Sequence, residues 1–395
     1  MKKNKLIDEY NQYVMPTYTR EPLVLARGEG SWAWDVSGRQ YLDFFPGWAV
    51  SGLGHTHPLV QAALTQQAKK IFHVPNNYYN ELQGKLAREI VQHAFDGKVF
   101  FCNSGSEAIE AAIKLARKYG SAQGKYEIIT MENSFHGRTL SAIAATGQEK
   151  YKQGFAPLPA GFIHVPLNNL EALKAKVSAK TIAIMLELIQ GEGGINVAGQ
   201  DYVEGIKKLC AEKGLLLIID EVQTGIGRTG KMFCYQHYKI VPDMIVLAKS
   251  LGGGFPIGAL VAKRNIADTL QPGTHASTFG GSPLACACGL AVFSAIKKGK
   301  LLKNAQLMGG YLQKKLVQLK GKYPQIKEVR GMGVMIGVEL DRNGRPVYEQ
   351  CLKNGLLINC THNTVLRIMP QLGVTKKEID AALVILEQAL QDHLR

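Results

Sequence analysis

No stretch of this sequence approaches 18 consecutive uncharged apolar residues, so no membrane-spanning helix is expected. Its basic start, Met1-Lys2-Lys3-Asn4-Lys5, runs into Asp8-Glu9-Tyr10-Asn11 with no apolar segment between. That is not the pattern of a secretory leader, and the cytoplasm is the expected compartment. Cysteine is sparse: seven residues, at 102, 210, 234, 286, 288, 351 and 360, none at CxxC or zinc-ribbon spacing. An odd, scattered set fits reduced thiols, and no metal site is expected. Acidic residues are few, 32 against 47 Lys and Arg, for a net charge of +15. A basic excess can mark a nucleic-acid binder. Here the densest group, Lys297, Lys298, Lys300, Lys303, Lys314, Lys315, Lys320 and Lys322, is interleaved with leucine and valine at helical spacing. That is a solvated helix face first and a lure for anionic substrates second, so no nucleic-acid partner is expected.

What the chain does contain is an alternation. At 395 residues, 46% hydrophobic and 20% charged, it is long enough for a large domain and a smaller one. Residues 1–50 are polar and aromatic, with turn signals at Gly28-Glu29-Gly30 and Val36-Ser37-Gly38-Arg39 between short strand-like pieces. From about 55 to 290, apolar runs alternate with helical patterns. The runs are Val99–Cys102, Glu127–Met131, Ile182–Leu188, Leu215–Asp220, Met244–Ala248 and Ala259–Ala262. Near-continuous apolar strands between helices predict an α/β fold whose mainly parallel sheet is covered on both faces. Past residue 300 the pattern becomes a helix near 304–322, a strand over Val329–Leu340 and a helix near 346–354. Short runs at Leu356–Cys360 and Val365–Met369 and a last helix near 375–393 follow. The expected division is a large domain, 51–295, and a small domain, 296–395, against which an N-terminal segment, 1–50, packs. Cys286 and Cys288 sit where a helix opens near Pro283 and read as packing residues. His55-Thr56-His57-Pro58 has no carboxylate or cysteine at ligand spacing and reads as a turn beside Gly54.

Two strand ends carry candidate chemistry. The run from Met244 closes on Lys249, before Gly252-Gly253-Gly254, and the run from Leu215 closes on Asp220. Open α/β sheets form their sites beyond the carboxyl ends of the strands. A lysine there can hold an aldehyde cofactor as a Schiff base, and an acid can face that cofactor's protonated ring nitrogen. An isolated strand-end lysine is more often solvated, so the pairing needs support from its neighbours.

Asn103-Ser104-Gly105-Ser106-Glu107 follows a strand and opens a helical pattern. Ser104 and Glu107 form a capping box, and the amides of Gly105 and Ser106 with the Ser106 hydroxyl make an anion site. An ordinary helix cap accounts for the segment equally well. Phe135-His136-Gly137-Arg138-Thr139 offers a phenylalanine to stack on a flat ring and an arginine for a carboxylate, although Phe135 also suits a core. Gly225–Gly230 matches GxGxxG, but it begins well beyond the strand end at Asp220 and opens no clean amphipathic helix. A dinucleotide site is set aside.

These motifs, with Gln190-Gly191-Glu192-Gly193-Gly194 and Ser277-Thr278-Phe279-Gly280-Gly281, occur in a known order and spacing. From Gly38 and Asp43 through Gly54-His55-x-His57-Pro58 to Arg367, the chain resembles the class III pyridoxal-phosphate-dependent aminotransferases. Its short length, Asn77-Tyr78-Tyr79-Asn80 and Asp220–Gly230 are similar to members that act on N2-acetylornithine. The resemblance implies fold type I: a mainly parallel seven-stranded-type sheet in a large domain, plus a smaller α/β C-terminal domain. It also implies pyridoxal 5'-phosphate as cofactor and a homodimer with a shared active site. The implied reaction moves the terminal amino group of N2-acetylornithine to 2-oxoglutarate, as in arginine biosynthesis. Enzymes acting on ornithine, succinylornithine, 4-aminobutyrate or acetyl-lysine are the near alternatives.

The resemblance also assigns roles. Lys249 would carry the cofactor and move the substrate proton, while Asp220 would keep the ring nitrogen protonated. Val222 and Phe135 would sandwich the ring, and Gln223 would meet its phenolic oxygen. Gly105, Ser106 and Thr278 of the partner subunit would bind the phosphate. Arg138 and Ser277 would contact the acylated substrate, and Arg367 the α-carboxylate of glutamate or 2-oxoglutarate. Glu192 either pairs with Arg367 in the half-reaction that leaves it free, sparing a buried charge, or is a solvated loop acid. Ser106, Ile109 and Leu188 stand where alanine, asparagine and proline are usual among acetylornithine-type members. The last two bear on the substrate.

Overall fold

Strands that are apolar on both faces find no place on a surface, so their position decides the architecture. The computed structural model of the chain describes residues 3–394; Met1 and Lys2 of the basic start, and Arg395, lie outside the described residues. Thr181–Leu186, Leu216–Asp220 and Met244–Leu247 are buried at every position. They form the middle of a seven-stranded sheet. Its order is Gly97–Cys102, Gly258–Lys263, Met244–Leu247, Leu216–Asp220, Thr181–Leu186, Glu127–Met131, Phe162–Val165. The strands from Phe162–Val165 to Met244–Leu247 are parallel. Gly258–Lys263 runs antiparallel to both its neighbours. The sheet is therefore the mainly parallel one the sequence predicts. Its edge strand Phe162–Val165 lies outside the predicted runs, because it is short, mostly half-buried and interrupted by His164.

Helices cover the sheet. Gly105–Gly120 turns Ala108, Ala111, Ala112 and Ala116 inward, and these small side chains let it approach closely. Pro283–Lys298 starts where Ser282 caps it and Pro283 presets φ, and it buries Cys286 and Cys288. Leu301–Lys322 leaves Lys303, Lys314, Lys320 and Lys322 exposed, the solvated face its spacing implies.

A second sheet, antiparallel throughout, takes the order Ile326–Met332, Met335–Leu340, Val365–Ile368, Asn359–Thr361. The predicted single strand Val329–Leu340 is instead a hairpin. It reverses at Gly333, whose φ is 55°, and a Cβ there would fall 2.5 Å from the Thr229 backbone. Apolar residues run straight through that turn, which hides it from pattern reading.

A third sheet joins Leu25–Glu29, Trp32–Asp35 and Gln40–Asp43 to Leu356–Leu357 from the far end of the chain. The helix Lys3–Tyr13 precedes it, where the sequence suggests only strand-like pieces. His55-Thr56-His57-Pro58 is a turn, in which His57 accepts Leu59 N and His55 Nε2 lies 2.8 Å from Asp43 Oδ2. Among the described residues, no helix is long and apolar enough to cross a membrane.

Candidate active site

Parallel strands end along one edge of a sheet, and the loops that follow them gather there. Asp220 closes its strand opposite Val246, so Lys249 emerges beside it. A cavity of about 330 Å³ opens at this edge, lined by Gly105, Ser106, Phe135, Asp220, Val222, Gln223 and Lys249. That volume suits a small cofactor. His136 and Glu187 line it as well.

Lys249 sits at φ 47°, a left-handed conformation that costs a non-glycine residue energy and is held only by its surroundings. Burial pushes its amine down to about 8, against the pull of the Glu192, Asp220 and Glu187 carboxylates. Asp220 is 3% exposed, with Oδ2 at 2.8 Å from His136 Nδ1 and Oδ1 accepting Val222 N at 3.0 Å. Burial alone would lower the His136 pKa, but the hydrogen bond and charge of Asp220 raise it on balance. Glu187 follows the end of the neighbouring strand and is pushed up to about 7 by burial, although it accepts Phe135 N at 2.9 Å and Gly191 N at 3.1 Å. The sequence reading missed Glu187, because it lies inside the apolar run Ile182–Leu188 and only the structure ends the strand ahead of it, at Leu186.

The helix Gly105–Gly120 opens as a cradle. Ser104 Oγ accepts Glu107 N at 3.2 Å and donates to Glu107 Oε2 at 2.9 Å. Glu107 also reaches back to Asn103, accepting its N and its Nδ2 at 2.9 Å each. The first intrahelical bond runs from Ala108 N to Ser104 O, at 3.2 Å, so the amides of Gly105 and Ser106 lie ahead of it. Ser106 Oγ accepts Arg138 N at 3.2 Å and keeps its own proton to donate. A Cβ on Gly105 would lie 3.1 Å from Val222 Cγ1. Gln223 Oε1 is buried without a hydrogen-bond partner. Two outward amides, a hydroxyl, Phe135 and Val222 and this orphan acceptor fit a flat ring bearing a phosphate.

Arg367 and Glu192 adjoin the cavity through Gln223 without lining it. Arg367 is 1% exposed and donates through Nη1 and Nη2 to the two Glu192 oxygens, at 2.8 and 3.1 Å. Its Nε donates to Asn359 Oδ1 at 2.8 Å, and its guanidinium lies 4.7 Å from the Phe45 ring centroid. Glu192 is therefore not a solvated loop acid. Burial would raise its pKa, yet the Arg367 charge and hydrogen bonds hold it below the usual value. Gln223 Nε2 joins the pair to the cavity, donating to Glu192 Oε1 at 3.0 Å.

Like Arg367 and Glu192, three further predicted residues stand outside the cavity lining. Arg138 is exposed, with its guanidinium 4.2 Å from the Tyr151 ring centroid. Ser277 Oγ accepts Gly280 N at 3.1 Å and Asn103 Nδ2 at 3.3 Å. Thr278 is exposed. Ile109 and Leu188 are fully buried in the core, so neither departure from the usual pattern faces the cavity. Phe45, Asn359 and Thr361, whose Oγ1 donates to Glu192 O at 3.0 Å, went unnoticed in the sequence, because Phe45 comes from the bend after Gln40–Asp43 and the other two from the antiparallel sheet, and none carries a local signal.

Known proteins share this architecture. The family described as Aminotransferase class-III matches residues 13–390. The acetylornithine aminotransferase of Caldanaerobacter subterraneus subsp. tengcongensis is 53% identical over 98% of this chain and 99% of its own. The ornithine aminotransferase structure from Toxoplasma gondii superposes with a TM-score of 0.95 at 33% identity, covering 99% of this chain and 96% of that one. The N-acetylornithine aminotransferase structure from Stenotrophomonas maltophilia gives 0.84 at 35%, covering 98% of each. A match that runs through all three large sheets is a likeness of the whole architecture, and this fold-type-I chain belongs to the class III aminotransferases.

Proposed function

We propose that this enzyme uses pyridoxal phosphate to move the terminal amino group of N2-acetylornithine to 2-oxoglutarate, giving N-acetylglutamate 5-semialdehyde and glutamate. The carrying observation is the bidentate pair of Arg367 with Glu192, a buried carboxylate receiver that already holds a replaceable carboxylate. The acetylornithine-type relatives support the choice of donor.

When bound, pyridoxal phosphate supplies an aldehyde that exchanges its oxygen for an amino nitrogen and a conjugated ring that holds the electron pair released at the reacting carbon. Lys249 Nζ, held near 8, is partly unprotonated at neutral pH and can take a proton from that carbon and return it. Asp220, oriented by His136 and the Val222 amide, holds a proton at the ring nitrogen. Phe135 and Val222 would flank the ring, Gln223 would meet its phenolic oxygen, and Gly105 and Ser106 would bind the phosphate. Arg138 and Ser277 contact the acylated substrate. Glu192 neutralises Arg367 while the donor is bound and yields when glutamate or 2-oxoglutarate brings its own carboxylate. The buried guanidinium is then never left unpaired, which would cost several kcal/mol, on the order of 3–5.

The active form is a cytoplasmic homodimer in which Thr278 of the partner subunit completes the phosphate site. Supporting this, Thr278 is exposed, and the exposed apolar residues Phe279, Phe72 and Tyr79 are candidates for burial between subunits.

A donor panel with 2-oxoglutarate tests the substrate. Acetylornithine should give a higher kcat/KM than ornithine, succinylornithine or 4-aminobutyrate; preference for one of the other donors overturns the assignment. Glu192→Gln should change the ratio of the two half-reaction rates, and an unchanged ratio removes the gate.

A further inference from the structure

The register of the C-terminal sheet places a second arginine beside the Glu192 gate. Arg330 pairs with Gly337, Gly337 with Arg367, and Arg367 with Asn359. Residues directly opposite one another across a sheet share a face, so both arginines project to the same side with Gly337 between them. The loop joining Ile189–Gln190 to Asn196–Val197 lies in that gap, where a Cβ on Gly337 would fall 2.9 Å from Ile195 Cβ. Arg367 holds the leading end of the loop, donating to Gly191 O at 2.9 Å and to the Glu192 carboxylate. Arg330 holds the trailing end. Its Nε donates to Gly194 O at 3.1 Å and Ile195 O at 3.2 Å, and its Nη2 donates to Gly194 O at 2.7 Å. Glu328, at 2.7 Å, and Glu339 orient Arg330 in turn. Ile195 has φ 56°, a backbone state that a β-branched residue keeps only under external contacts.

We infer that Arg330 is a positioning residue for the gate, pinning loop 191–195 over Gly337 so that Glu192 yields by rotating its side chain while its backbone stays in place. The inference rests on the gate reading above. A planar guanidinium spanning two carbonyls fixes both position and orientation, which a lysine ammonium does not. Released from Arg330, the loop would let Glu192 lose its two-point fit on Arg367, leaving that charge exposed to the donor's own carboxylate. The donor half-reaction suffers first, because it alone needs Glu192 in place.

The test compares holoenzyme variants Arg330→Met, Gly337→Ala, Glu192→Gln and the double variant Arg330→Met/Glu192→Gln. Each is followed in single half-reactions with N2-acetylornithine and with glutamate. Arg330→Met should slow the donor half-reaction about tenfold more than the glutamate half-reaction, and Gly337→Ala, which displaces Ile195, should shift the ratio the same way. In the Glu192→Gln background the Arg330→Met effect on the ratio should fall below about twofold, the non-additivity of a shared path. Amide exchange across residues 191–195 should rise in Arg330→Met, with or without cofactor. Equal losses in both half-reactions, full additivity with Glu192→Gln, or unchanged exchange overturns the role of Arg330. If Glu192→Gln alone leaves the ratio unchanged, the gate reading fails and the inference with it. If Glu192→Gln shifts the ratio and Arg330→Met does not, only the inference falls.

Discussion

The Lys249 ammonium is costly to bury. The amine is held near 8 against 10.5 in an unfolded chain, so between those values the unfolded state binds the proton more readily. Below about 8 the folded state bears the full cost of an enclosed ammonium, and that cost fades as pH rises towards 10.5. In the cofactor-free protein, Lys249→Met should therefore add about 2–3 kcal/mol of stability at pH 7 and little at pH 10.5, measured by urea unfolding. Lys249→Ala should lose all turnover yet still take up the cofactor reversibly, as dialysis with fluorescence detection would show. If turnover persists, the proposed chemistry is wrong. Both Lys249 and Asp220 are legible in the sequence, because a residue closing an apolar run must sit at a strand end. Asp220's partner His136 is 84 residues away and meets it only through folding, so the spacing of neither motif reveals their 2.8 Å contact.

At the scale of elements, caps and ends were readable and reversals were not. Ser104 and Glu107 announce the start of the helix Gly105–Gly120, because a serine oxygen meets the orphan amides of a first turn within three or four residues. Ser104→Ala should cost about 1 kcal/mol, read by chemical denaturation, and should weaken cofactor binding by loosening the amides of Gly105 and Ser106. Binding that weakens with no change in stability would point to a different role for Ser104. The hairpin at Gly333 has no such announcement. Its need for glycine comes from the Thr229 backbone packed against it, roughly a hundred residues earlier in the chain. The edge strand Phe162–Val165 is hidden for a related reason, since an edge needs only one buried face and imposes no continuous apolar run.

Across the whole molecule, the sheets are tied by backbone contacts between distant segments. Leu356–Leu357 extends the sheet of Gln40–Asp43, Met369 N donates to Phe44 O at 2.6 Å, and Leu372 N donates to Gly52 O at 2.8 Å. Buried Arg228, in the loop beyond Asp220, donates to Met369 O at 3.4 Å and to Pro370 O, close behind Arg367. The loop carrying Asp220's neighbours and the strand carrying Arg367 are thereby joined directly. If two chains share each site, Thr278→Ala should weaken cofactor binding about tenfold, the order expected for one lost charge-assisted hydrogen bond. Hybrids of Thr278→Ala with Lys249→Ala chains should then regain tight binding and turnover in one of their two sites. Hybrids no better than either parent would place Thr278 outside a shared site.

The sequence alone determined the alternation of strands and helices, the lysine and acid at strand ends, and the capped start of the helix Gly105–Gly120. Each depends on residues close in the chain, where geometry follows from local periodicity and hydrogen bonding. Only the tertiary structure decided that Glu192 is paired with a buried arginine, that Glu187 and His136 line the cavity, and that Arg330, Gly337 and Arg367 form one row. Those facts depend on strand register and on packing between sheets, and a one-residue slip would turn the row to the other face without altering any local pattern.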